Sequence, residues 1–271
     1  MTVRSRAARA GLATALCTWL AACGTARPAT APMRTLALTA PSAAADAAPG
    51  DRALIVLLPG RGDAPEDLVA RGMVDMVRAR GIAADVVVVD AHVGYYRSRQ
   101  AVERLLADVI APARARGYRS IWLAGISLGG FGALLYGARY GATDPIDGVF
   151  AIAPYLGRGD DLPAEIRAAG GLPAWDGAAS ADDDYARLVF AWLRGFGDPG
   201  EPRPQLWLGV GADDRFAERI RLVAPLLPAD HFIEVPGGHT WQPWLRIWGT
   251  MLDQAPLPRV AVTATAVSAA R

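Results

Sequence analysis

Six short runs of apolar residues constrain this chain more than any other feature. They are Ala53–Leu58, Asp85–Val89, Ile121–Ala124, Val149–Ile152, Leu206–Val210 and His231–Val235. A strand with one wet face alternates apolar and polar side chains, whereas these runs are nearly continuous, as strands covered on both faces are. Between them lie longer stretches with helical spacing: Asp67–Arg80, Ala101–Arg116, Leu128–Tyr140, Phe216–Leu227 and Trp241–Leu252. Buried strands alternating with amphipathic helices predict an α/β fold over 51–255, a mostly parallel sheet with helices on both faces. The irregular segment Tyr155–Pro204 holds one clear helical pattern, Asp183–Arg194. It is expected over the carboxyl ends of the strands, as a small lid at most.

The third apolar run leads directly into Gly125-Ile126-Ser127-Leu128-Gly129, and Gly130, Gly132 and Ala133 follow. A serine hydroxyl attacks a carbonyl only when a base takes its proton and donors stabilise the oxyanion. Gly-x-Ser-x-Gly between a strand and a helix supplies the sharp turn that presents such a serine, so Ser127 is the candidate nucleophile. The Leu128 N–H, at the helix start, is one candidate oxyanion donor. Of three histidines, His92 and His231 sit at strand boundaries where structural roles are usual. His239 lies in Pro236-Gly237-Gly238-His239-Thr240-Trp241, a glycine loop after the last strand, where a catalytic base belongs. The loop Gly211-Ala212-Asp213-Asp214-Arg215-Phe216 offers two adjacent aspartates, giving the chain order Ser, Asp, His.

Ahead of these motifs, Leu57-Leu58-Pro59-Gly60-Arg61-Gly62-Asp63 is followed by Glu66-Asp67-Leu68. Together the four motifs, covering roughly 53–253, resemble the α/β-hydrolase superfamily, and in particular small phospholipase/carboxylesterase-type and related esterases. The resemblance implies a carboxylic ester hydrolase acting on a small-molecule ester through an acyl-enzyme. It implies Asp214 as the acid, three residues after Gly211, with Asp213 a capping or surface carboxylate. It also implies the Arg61 N–H as the second oxyanion donor. Pro59 stands where the family usually has histidine, which alters loop shape but not the backbone donor. The Gly-His-Thr-Trp loop departs from the carboxylesterase pattern and resembles other esterase branches. An acyltransferase or thioesterase could use the same triad, and a non-catalytic envelope binding protein could keep the fold.

Candidate pocket residues are Gly60 in the Pro59–Asp63 loop, Tyr95, Tyr96 and Arg97 after the Val86–Val89 run, and Trp241, two residues from His239; an ordinary solvated loop is an equal alternative for 95–97. Trp241, Trp244 and Trp248 share helical spacing and are expected to form the packing face of the last helix. No His/Cys cluster or acidic motif suggests a metal, and nothing points to a cofactor. All 28 positive side chains are arginine and balance 27 acids, with no basic run suited to nucleic acid.

The N-terminus carries Arg4, Arg6 and Arg9, an apolar stretch Gly11–Leu20, then Leu20-Ala21-Ala22-Cys23. This resembles a bacterial lipoprotein signal over 1–22, with Cys23 as the lipidated residue of an exported, membrane-anchored protein. Gly24 rather than Asp after the cysteine implies the outer membrane by the same resemblance. Cleavage would remove three arginines and no acid, taking the formal charge from +1 to −2. Cys17 and Cys23 are the two cysteines, so no disulfide would be left. Residues 23–50, rich in Ala, Pro and Thr, are expected to be a flexible tether, and 256–271 a loose tail.

Overall fold

Every one of the six apolar runs forms a strand in the computed structural model, which describes residues 27–39, 48–177, 184–198, 200 and 202–260. The strands are β2 (Ala53–Leu58), β3 (Ala84–Val89), β4 (Ser120–Ile126), β5 (Gly148–Ile152), β6 (Gln205–Gly211) and β7 (Phe232–Val235). With an added strand, β1 (Thr35–Leu38), they form one sheet in the order β1-β3-β2-β4-β5-β6-β7. β1 runs antiparallel to β3, and the other pairings are parallel.

Side chains along each strand alternate between two cores, which is why the runs are apolar throughout. Leu54, Val56, Leu58, Leu123 and Leu208 point into one core, while Ile55, Leu57, Trp122, Phe150 and Trp207 point into the other. The second face carries an aromatic stack. Trp122 and Phe150 lie parallel at 5.0 Å, and Trp248 meets Phe150 edge-on at 5.4 Å.

The helices break where the residues require it. The stretch 67–80 splits into α1 (Pro65–Ala70) and α2 (Met73–Ala79), because Gly72 between them takes φ 85°. A short helix not foreseen from the sequence, α3 (Val93–Arg97), follows β3. The next stretch is α4 (Ala101–Leu105), a wide π turn over Leu106–Ile110, then α5 (Ala111–Ala115), which contains Pro112, a residue with no N–H to donate. α6 (Leu128–Tyr140) leaves Ser127 directly. Beyond β5 come α7 (Asp161–Ala168), also unforeseen, and α8 (Tyr185–Arg194). After β6, α9 (Ala217–Arg221) covers only the start of the expected helix, and α10 (Trp241–Gln254) is the last helix among the described residues.

Two expectations need correction. Residues 23–50 are not a free tether throughout, since Thr35–Leu38 pairs along the edge of β3. The physical reason is Asp90, a buried carboxylate at the end of β3 that takes Arg27 at 2.9 Å and Arg34 at 3.3 Å. Arg34 also clasps Glu66, whose carboxyl is thereby held down at about 2. The tail is likewise tied as far as Val260: Arg259 bridges to Ile82, Val260 N–H donates to Gly81, and Leu257 is buried. The segment from Tyr155 to Pro204 agrees with a small lid at most, only Tyr155, Gly157, Arg158 and Gly159 of its described residues bordering the space beside Ser127. Its Ile166, Leu172, Trp175, Phe190 and Leu193 are buried in the first core, and Trp192 packs on Gly137 of α6. Residues 1–22 and Cys23 lie outside the described residues.

A chain beginning at Asp51 would leave Asp90 buried without either arginine and the β3 edge bare. Its melting temperature is expected to fall by roughly 5–10 °C relative to a chain beginning at Arg27, measured by circular dichroism. An unchanged value would mean that the β1 segment contributes nothing to stability.

Candidate active site

β4 delivers Ser127 to the carboxyl edge of the sheet in a conformation that only strong constraint sustains, φ 54° and ψ −110°. The turn is pinned by its own backbone. Ser127 N–H donates to the Ile152 carbonyl at 2.8 Å, and the Ser127 carbonyl accepts from Phe131 at 3.0 Å and Tyr155 at 2.9 Å. The flanking glycines are there for space. A Cβ on Gly125 would sit 2.2 Å from the Gly129 carbonyl, and one on Gly129 would sit 2.2 Å from the Leu58 carbonyl oxygen.

Opposite the serine, the loop after β7 presents His239. Its Nε2 lies 2.9 Å from Ser127 Oγ, and its Nδ1 lies 2.7 Å from Asp214 Oδ2. Asp214 comes from the loop after β6, and its side chain is fully buried. Its other oxygen accepts the Phe216 N–H at 2.9 Å, so both carboxylate oxygens are engaged. A buried, doubly bonded carboxylate of this kind fixes the imidazole tautomer with Nδ1 carrying the proton. The ring is further held between the edges of Phe216, at 5.0 Å, and Trp244, at 4.9 Å. Asp213 is exposed, and the geometry decides between the two neighbours in favour of Asp214.

Arg61 and Leu128 line the same cavity as Ser127. The loop that carries Arg61 is shaped by Asp63, whose carboxylate takes the Gly60 N–H while burial pushes its pKa upward. Gly60 lies behind this turn, buried, with Asp63 where its Cβ would be.

Three candidate pocket residues prove to face elsewhere. Tyr95 is buried, and its hydroxyl donates to the Thr30 carbonyl at 3.0 Å, holding the N-terminal segment. Tyr96, one helical step on, lies against Gly132 under α6, where burial pushes its phenol far upward. Trp241 packs on Trp244 and under Arg71 rather than lining the cavity. The other histidines are structural. His92 Nδ1 accepts the Gly94 N–H at the start of α3, and His231 stacks on Trp207 at 4.1 Å.

The cavity beside Ser127 has a volume of about 660 Å³, within the range of small-molecule sites. Val93, Tyr155 and Phe216 supply its apolar wall, and several arginines supply the rest. Arg97, expected here from its place after the Val86–Val89 run, is among them; Val93, Tyr155, Arg158 and Arg219 carry no local sign of a pocket role, while Phe216 and Arg215 adjoin Asp214. No cluster of His, Cys, Asp or Glu suited to a metal occurs among the described residues.

This sheet order, with the serine turn after β4, the acid after β6 and the histidine after β7, is the α/β-hydrolase fold. No protein-family model matches the sequence, and no curated protein does. Similarity appears at the level of solved structures. A ferulic acid esterase is 17% identical with a TM-score of 0.50, over 83% of this chain and 100% of that one. The fluorophosphonate-binding serine hydrolase FphF of Staphylococcus aureus is 11% identical, TM-score 0.54, over 82% and 98%. Est1E from Butyrivibrio proteoclasticus is 16% identical, TM-score 0.53, over 81% and 91%. At such identities the likeness is one of fold.

The close approach at the serine turn is testable. Gly129→Ala is expected to cost about 3 kcal/mol in urea unfolding, because the added methyl meets backbone that cannot yield. A cost near zero would show that the backbone around Leu58 and Gly129 yields to a methyl group.

Proposed function

We propose that this protein is a serine hydrolase that cleaves a carboxylic ester through an acyl-enzyme. The observation that carries the reading is the unbroken line from Ser127 Oγ through His239 to the buried Asp214, at 2.9 and 2.7 Å, opening on a cavity. His239 Nε2 takes the Ser127 proton as Oγ attacks the acyl carbon, and the resulting oxyanion is met by the amides of Arg61 and Leu128. The imidazolium, stabilised by Asp214, returns the proton to the departing alcohol. Water then attacks the acyl-enzyme, giving its proton to His239 and its hydroxyl to the acyl group, and Ser127 is restored. The named functions of the fold neighbours, an esterase and a fluorophosphonate-binding serine hydrolase among them, agree with this reading.

A neutral fluorophosphonate probe is expected to label the protein at Ser127, and Ser127→Ala and His239→Ala to abolish labelling. Asp214→Asn is expected to lower ester kcat by about a thousandfold to ten-thousandfold, whereas Asp213→Asn leaves it unchanged. Labelling that persists in Ser127→Ala would reject the proposal.

We further propose, on the signal-like run Leu20-Ala21-Ala22-Cys23, that a lipid on Cys23 holds the enzyme to the outer membrane. Arg27 is fixed on Asp90, and its carbonyl lies against Gly94 of α3, the helix that gives Val93 to the cavity. Three residues separate it from Cys23, a reach of at most about 14 Å, so the anchor would lie close to the cavity rather than at the end of a long tether. Metabolic labelling with palmitate, lost in Cys23→Ser, is the expected result; labelling retained in that variant would overturn the assignment.

A further inference from the structure

The wall of the cavity beside Ser127 segregates charge. Arg61, Arg97, Arg158, Arg215 and Arg219 line it, and no carboxylate does among the described residues. The chain as a whole has 28 arginines and 27 acids, so an even mixture would give such a wall both signs. These arginines reach the cavity from the loops after four different strands. Arg61 follows β2, Arg97 ends α3 after β3, Arg158 follows β5, and Arg215 and Arg219 follow β6. Nothing in local sequence would gather them; only the shared carboxyl edge of the sheet does.

Their pairing also differs from that of arginines elsewhere in the molecule. Arg34, Arg80, Arg187 and Arg221 each clasp a carboxylate within 3.0 Å. Arg61, Arg97 and Arg158 have no carboxylate partner among the described residues, and Arg215 lies over the Phe216 ring at 4.9 Å. Arg219 spends its guanidinium on the Gly157 and Gly159 carbonyls, with the outlying Asp160 at 3.4 Å. It therefore staples the loop that displays Arg158. Guanidinium groups that share one cavity wall with only the outlying Asp160 as counter-charge repel one another, and a cleft of one sign concentrates the opposite charge. Their planar forks match carboxylate and phosphate oxygens.

We propose that the substrate is an ester bearing a second, negatively charged group, a carboxylate or a phosphate on its acyl or alcohol part. The arginines seat that group while Val93, Tyr155 and Phe216 cover the hydrocarbon portion. This rests on the serine hydrolase reading above, but it concerns binding and can fail separately.

Two matched pairs of esters test it with the purified protein. Monoethyl adipate against ethyl hexanoate places a carboxylate on the acyl side, and 2-butyryloxyethyl phosphate against propyl butyrate places a phosphate on the alcohol side. The kcat/KM of at least one charged ester is expected to exceed that of its neutral partner about tenfold, with the preference shrinking as salt is raised. In Arg97→Gln/Arg158→Gln, the charged-to-neutral ratio is expected to fall about tenfold. The same four compounds are titrated calorimetrically into Ser127→Ala protein, which separates binding from turnover. Turnover of neutral esters with no charge preference in either pair would overturn the anion site and leave the hydrolase reading standing. Charge-selective binding without turnover or fluorophosphonate labelling in the wild type would do the reverse. Equal binding of charged and neutral members overturns the proposal whatever the turnover.

Discussion

The site depends on a backbone turn that an L-residue adopts only under compulsion. Ser127 at φ 54° would relax if anything around it gave way, and three backbone hydrogen bonds, one donated to the Ile152 carbonyl and two accepted from Phe131 and Tyr155, prevent this. Those bonds run to the end of β5, to the loop that follows it and to the first turn of α6, so the strain is sustained by the neighbouring strand as well as by the helix that leaves the turn. Gly125 and Gly129 allow β4, α6 and the end of β2 to close on one another at distances that no side chain could tolerate. The same closeness brings Leu128 and Arg61 to the wall of one cavity.

From that fixed point the rest of the constellation follows by strand order. β6 and β7 lie successively beyond β5, so their loops reach the serine turn from one side. Asp214, with its side chain out of water and both oxygens bonded, sets the imidazole, and Phe216 and Trp244 restrict its tilt. Each residue that orients His239 is itself held by packing, which is what a proton relay requires, since small displacements weaken it steeply. The chain before β2 belongs to this framework as well. Arg27, Thr30 and Arg34 bind Asp90 and Tyr95 at the edge nearest α3, one of the cavity's walls.

The central strands could be read from the sequence because burial on both faces leaves an unbroken apolar record. β1 left no such record: Thr35–Leu38 is a short edge strand whose residues are half exposed, set in an Ala- and Pro-rich stretch. Its position depends on a buried carboxylate more than fifty residues away in the chain. Tyr95 and Tyr96 misled for a related reason. Proximity to a strand end suggested a pocket, but the short helix α3 turns both side chains into packed surroundings. Trp241 was two residues from His239, yet the helix that starts there carries Trp244, not Trp241, against the imidazole.

Sequence alone determined the strand–helix alternation, the turn around Ser127, and the order of the motifs that hold serine, aspartate and histidine. These are local patterns, written by burial and by the space that glycine leaves. Tertiary structure decided what depends on distant segments meeting. It selected Asp214 over Asp213, docked the N-terminal segment on Asp90, buried Ile166, Trp175 and Phe190 in the core, and brought arginines from beyond four strands to one cavity. Charge in a loop has no periodicity to betray where it will point. Its neighbours are fixed only when the parallel sheet places the ends of its strands along a single edge.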